Sequence, residues 1–167
     1  GRAILAYRAA IRHDPRNVAA HYNLGNVLQT EGDFAGAIVA YRAATGIRPD
    51  LAQIHGNLGA ALHETGASEE AIAAYRRSIS LAPATSRRLI GLGLALGRNS
   101  EFDAAISAYR KALALQPDSP ELFLQIGIAM HKSGQSARAE VVWKRAFAMR
   151  PTDGALYAAV ARPLALL

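Results

Sequence analysis

The stretch YRAATGIRPDLAQIHGNLGAALHETGASEEAIAAYRRSISLAP, residues 41–83, contains one pattern twice. Tyr41 stands eight residues before Pro49, Tyr75 stands eight before Pro83, and the copies are 34 residues apart. Working outward, Pro15, Pro49, Pro83, Pro117 and Pro151 keep that interval, and so do Tyr7, Tyr41, Tyr75, Tyr109 and Trp143. Leu24-Gly25, Leu58-Gly59, Leu92-Gly93 and Ile126-Gly127 recur between them, as do Ala3, Ala37, Ala71, Ala105 and Ala139. A fixed period of this length marks a stack of supersecondary units rather than one globular core.

Each unit reads as two antiparallel amphipathic helices. Apolar residues recur at three- and four-residue spacing in both halves, as at Leu24, Val27 and Leu28 and at Ile38, Tyr41 and Ala44. Gly25, Gly59, Gly93 and Gly127 are expected to face the recurring alanines so that two backbones approach closely, with the aromatic filling space toward the next pair. Gly32, Gly66 and Gly134 suit the positive-φ position after a helix, where the third unit has Asn99-Ser100. Each proline ends a second helix. Asn17, Asp50, Thr85, Ser119 and Asp153 then fall where a first helix needs an N-cap, and Pro120 suits a first helical position.

The pattern resembles the tetratricopeptide repeat. That resemblance implies an all-α, right-handed helical solenoid of antiparallel helix pairs. It divides the chain into the second helix of a truncated repeat (1–17), four repeats (18–51, 52–85, 86–119 and 120–153) and a partial repeat or capping segment (154–167). Departures are Thr45 and Gly46, the polar Ser78, and Pro163 in the last segment. The tail Leu164-Ala165-Leu166-Leu167 is expected to pack on the preceding repeat or on a further domain. The start, Gly1-Arg2-Ala3-Ile4, lacks an initiator Met and a signal pattern, so the chain reads as a fragment.

The family geometry turns the first helices toward a groove. In the first half that groove is polar, with Tyr22, Asn23, Asn26, Gln53, Asn57 and His63. In the second half it is apolar with a charged rim: Arg87, Ile90, Leu94 and Arg98, then Leu124, Gln125, Ile128 and Lys132. An Asn side chain can donate to and accept from one peptide unit, so Asn23 and Asn57, one period apart, read as the start of a ladder along an extended ligand. This is similar to the asparagine ladder in the repeat arm of O-linked N-acetylglucosamine transferases, interrupted here by Gly91 and Gln125. A carboxylate clamp for C-terminal tails is matched at Asn26, Asn57 and Arg87, but Tyr22 and Gly91 stand where cations are needed.

Other chemistry is weakly supported. The glycines of Gly91–Gly97 lie inside a helical pattern with no strand before them, which argues against a dinucleotide loop; a softened helix or hinge is the alternative. The five histidines are too widely spaced for a zinc site, and no metal or cofactor is implied. With no cysteine there is no disulfide or thiolate chemistry, and the compartment is left open, with a lean to the cytoplasm. No apolar run is long enough to span a bilayer. No nucleophile elbow, phosphate loop or paired acid and base is present, so the chain reads as non-enzymatic.

The formal charge is +6, and all but three of the nineteen basic residues are Arg, a bias typical of a GC-rich bacterial genome. Arg8, Arg42, Arg76, Arg110 and Lys144 keep the period, joined by Arg77, Lys111 and Arg145, as a stripe on the second helices. The recurring aromatics are committed to packing, so the stripe reads as a solvated face rather than a nucleic-acid surface. The expected function is a protein-interaction module binding an extended peptide or helix. The alternatives are a substrate-presenting arm of a larger transferase and a scaffold self-associating through its open ends.

Overall fold

The computed structural model describes residues 1–150, together with Gly154 and Ala158. Nine helices occur among the described residues: α1 Arg2–His13, α2 Val18–Thr30, α3 Phe34–Ile47, α4 Ala52–Glu64, α5 Ser68–Leu81, α6 Ser86–Arg98, α7 Phe102–Leu115, α8 Pro120–Lys132 and α9 Ser136–Met149. They form two compact units, Gly1–Ala84 and Thr85–Leu167. In the first, α1 packs on α2, α2 on α3, α3 on α4 and α4 on α5, with α2 also touching α4. In the second, α6 packs on α7, α7 on α8 and α8 on α9. Within each unit the helices pack on their sequence neighbours, as the pairs of a helical solenoid do.

The turns follow the local chemistry. Gly32, Gly66 and Gly134 each adopt φ of 83°, and Ser100 takes φ of 62° at the corresponding place in the third pair. Asn17 accepts from the Ala20 N–H at 2.9 Å, Thr85 from that of Arg88 at 3.4 Å and Ser119 from that of Leu122 at 3.3 Å, satisfying otherwise orphaned donors. Asp33, whose role the sequence did not suggest, caps α3 through the Gly36 N–H at 2.8 Å. Asp50 does not act as the expected cap: the N-cap of α4 is Leu51, without a side-chain bond. The nearby Arg48 guanidinium takes the Asp50 carboxylate instead, with Nε 2.9 Å from Oδ1, and this hydrogen bond holds the Asp50 carboxyl below its ordinary pKa.

The nearest neighbours of Gly25, Gly59, Gly93 and Gly127 are the recurring aromatics. A Cβ added at Gly25 would lie 2.5 Å from Tyr41 Cε1, and one at Gly93 2.5 Å from Tyr109 Cε1; at Gly59 the Tyr75 ring would be 3.0 Å away. At Gly127 the obstacle is Trp143. The recurring aromatic therefore lies against the glycine of the first helix in its own pair. Ala37, Ala71, Ala105 and Ala139 are all fully buried beside it. Glycine and aromatic form one packing unit, each kept by the other.

Two sequence departures are accommodated. Ser78 is fully buried, and its hydroxyl donates to the Ala52 carbonyl at 2.5 Å, so a polar group takes the place that Ala44, Ala112 and Ala146 fill elsewhere. Thr45 turns its hydroxyl back to the Arg42 carbonyl at 3.1 Å. The helix α6 runs unbroken through Gly91, Gly93 and Gly97. The expectations for Pro151, Asp153, Pro163 and the tail 164–167 lie outside the described residues.

Candidate functional site

In the first unit the polar side chains of α2 and α4 meet. Asn57 Nδ2 donates to Asn26 Oδ1 at 2.9 Å and lies 3.3 Å from the Tyr22 hydroxyl. The Tyr41 hydroxyl, coming from α3, donates to Asn26 Oδ1 at 2.8 Å and to Gln29 Oε1 at 2.9 Å. The Tyr22 and Tyr41 rings are tilted against each other with centroids 6.2 Å apart. Asn26 is thus the hub of a part-buried network. Asn57, expected as a rung of the ladder, directs its amide nitrogen to partners inside the protein. Its Oδ1 makes no hydrogen bond among the described residues.

The remaining first-unit candidates are more open. Asn23 is half-buried and Gln53 is exposed, and neither makes a hydrogen bond among the described residues. His63 is half-buried near the end of α4. His21 and His55 serve another purpose: each Nε2 donates at 3.0 Å to the carbonyl of the proline six residues earlier, Pro15 and Pro49. This ties each first helix to the turn before it.

In the second unit the corresponding face is different. Tyr109 occupies the place of Tyr41, but the positions matching Asn26 and Gln29 are Leu94 and Gly97. The Tyr109 hydroxyl makes no hydrogen bond among the described residues, and burial pushes its pKa above the ordinary value. Ile90, Gln125 and Ile128 are half-buried, and Leu94, Arg87, Arg98 and Lys132 are exposed. Leu124, expected on the apolar shelf, is more deeply buried than Ile90 and Ile128. It is only 8 % exposed, and its carbonyl accepts from Trp143 Nε1 at 3.3 Å.

The basic stripe is partly neutralised. Arg42 forms an ion pair with Glu70, and Lys144 pairs with Glu140 at 2.6 Å. The Arg145 guanidinium sits 4.6 Å above the Phe123 ring. Among the described residues no cluster of His, Cys, Asp and Glu could hold a metal ion, and no helix is long and apolar enough to cross a membrane.

Helix pairs at a 34-residue period, with a glycine under an aromatic in each pair, define a helical-repeat protein. A tetratricopeptide repeat sequence model matches residues 1–52 and 29–85, and a TPR repeat model matches residues 93–134. The chain belongs to the tetratricopeptide repeat family. Its fold is similar to that of MamA, with a TM-score of 0.84 and 27% identity over 89% of this chain and 81% of that one. MamA from Desulfovibrio magneticus RS-1 is similar at a TM-score of 0.83 and 20% identity, covering 90% of this chain and 85% of that one. YrrB, described as a TPR protein with an unusual peptide-binding site, shares the fold at a TM-score of 0.78 and 16% identity, covering 93% and 82% of the two chains. No curated protein sequence matches significantly.

Proposed function

We propose that the chain is a non-catalytic protein-interaction module whose first helices read an extended peptide. One observation carries the reading. On α2 and α4, Asn26 and Tyr22 hold the Asn57 amide in a fixed orientation, while Asn57 Oδ1, Asn23 and Gln53 retain hydrogen-bonding capacity. An amide fixed in advance, as that of Asn57 is, loses little side-chain entropy on binding, which favours recognition of a peptide backbone. The fold is one that carries a peptide-binding site in YrrB.

In the second unit the ligand side chains rest on Ile90, Leu94 and Ile128. Arg87, Arg98, Gln125 and Lys132 supply polar contacts at the rim, and the groove residues of each unit act on the ligand segment in front of them. Leu124 contributes only packing behind this face.

The test is selection of binders from a random-peptide display library, followed by titration of the selected peptides into wild type and an Asn23→Ala/Gln53→Ala variant. Neither residue has an internal partner to lose, so the fold is left intact. Peptides that bind the variant more weakly by about tenfold or more support the reading. Equal binding to both proteins sinks it.

A further inference from the structure

The second unit has a cleft that the peptide groove does not use. It has a volume of about 500 Å³ and lies among α7, the end of α8 and the start of α9. Ile106, Ala114 and Met130 supply its apolar lining, and Arg110, Lys111 and Arg138 its positive charge. Asp103 also lines it and accepts from Gln135 Nε2 at 3.3 Å, so three cations face one carboxylate already engaged. Arg138 donates to Gln135 Oε1 at 2.6 Å, while Arg110 and Lys111 have no hydrogen-bond or ion-pair partner among the described residues.

The 34-residue period supplies the comparison that gives this cleft meaning. Two periods earlier, the positions of Arg110 and Arg138 are Arg42 and Glu70, which form an ion pair in the first unit. The place of Lys111 is held there by Ala43, and that of Gln135 by Ala67. The second unit therefore keeps the arginine, reverses the charge of its partner and adds a lysine; it also has Asp103 where the first unit has Ala35, so the positive charge of the lining still exceeds the negative. Like charges lining one cleft repel unless an anion lies between them. Helix α9 adds to the positive field, since its N-cap Gln135 makes no side-chain cap bond and its first turn has no acidic residue.

We infer that this cleft binds an acidic side chain of a protein partner, with the partner's carboxylate taking the place that Glu70 fills in the first unit. The apolar lining fits a neighbouring aliphatic side chain of the same segment, so the ligand class is a peptide alternating acidic and aliphatic residues. No aromatic side chain lines the cleft, which disfavours a nucleic-acid strand that would stack its bases.

The probe is a short fluorescein-labelled peptide alternating Glu and Leu, titrated by anisotropy into the whole chain beside the same peptide with Gln for Glu and a labelled oligothymidylate. Arg138→Glu restores the Arg–Glu pairing of the first unit and is expected to weaken the acidic peptide by about tenfold or more. Arg12→Glu, an exposed residue of α1, makes the same change in net charge and is expected to shift binding by less than about twofold. If Arg138→Glu fails to give a normal helical melt, Arg110→Gln/Lys111→Gln is read in its place with the same expectation. Equal losses in the cleft and control variants, no binding of the acidic peptide, binding of the Gln peptide as tightly, or tighter binding of the oligonucleotide would each overturn the inference.

Discussion

Asn57 Nδ2 donates to Asn26 Oδ1 at 2.9 Å, joining α2 to α4 across the helix between them, and the Tyr41 hydroxyl of that helix donates to the same oxygen at 2.8 Å. One acceptor thus links three helices. Asn26→Ala removes it and is expected to cost about 1–3 kcal/mol, because two part-buried donors lose a partner. In a double-mutant cycle with Tyr41→Phe, the two changes should be non-additive by about 1 kcal/mol in urea denaturation. Additive losses would show that the network contributes no coupling.

Two glycines of α6 separate packing from backbone freedom. Gly93 lies under the Tyr109 ring, whereas a Cβ at Gly97 meets nothing within 4 Å. Gly93→Ala is expected to destabilise by about 1–3 kcal/mol through overpacking. Gly97→Ala is expected to stabilise by about 0.5–1 kcal/mol, since it restrains the unfolded chain without a clash. Thermal melts of the two variants should move in opposite directions.

The Tyr109 hydroxyl gives a pH signature. Its pKa is raised by burial, so the folded state favours the protonated phenol. The stability it contributes is complete below the unfolded tyrosine pKa of about 10 and is lost as pH rises from there toward the folded value. Tyr109→Phe should therefore lose less melting temperature than wild type between neutral pH and about pH 11. Parallel curves for the two proteins would count against a buried, unionised phenol.

The fold was legible because its fixed points are local. Pro49 and Pro83 follow the ends of α3 and α5, and the turn glycines need positive φ whatever surrounds them. Periodicity places a residue on a helix face without naming the neighbour nearest to it, so the Tyr41 ring against Gly25 emerges only in the structure. Asp50 was misread for a related reason: a cap competes with any nearby cation, and Arg48 lies only two residues away.

The candidate site was only partly legible. The first helices could be aligned, which put Asn26 and Asn57 on one face, but spacing does not set side-chain torsions, and the bond between them emerged only in the structure. Buried tyrosine hydroxyls usually find a partner, and that tendency draws Tyr41 toward the polar residues of α2, although Tyr109 has none among the described residues. Leu124 shares its register with Ile90 yet is more deeply buried, a difference that register alone does not set. The change of sign from Glu70 to Arg138 was present in the sequence throughout, but became informative only once Arg42 was seen to pair with Glu70.

The most direct test of the central claim is to follow the side-chain amide NMR resonances of Asn23, Asn57 and Gln53 while a display-selected peptide is added, with Asn17, Gln116 and Gln135 as references. Asn17 is engaged in a helix cap, Gln116 accepts from the Ser86 hydroxyl at 2.6 Å, and Gln135 is bound to Asp103. Saturable shifts at Asn23, Asn57 and Gln53, with the three references unmoved, are the predicted result. Binding that leaves Asn23, Asn57 and Gln53 unshifted would contradict the account.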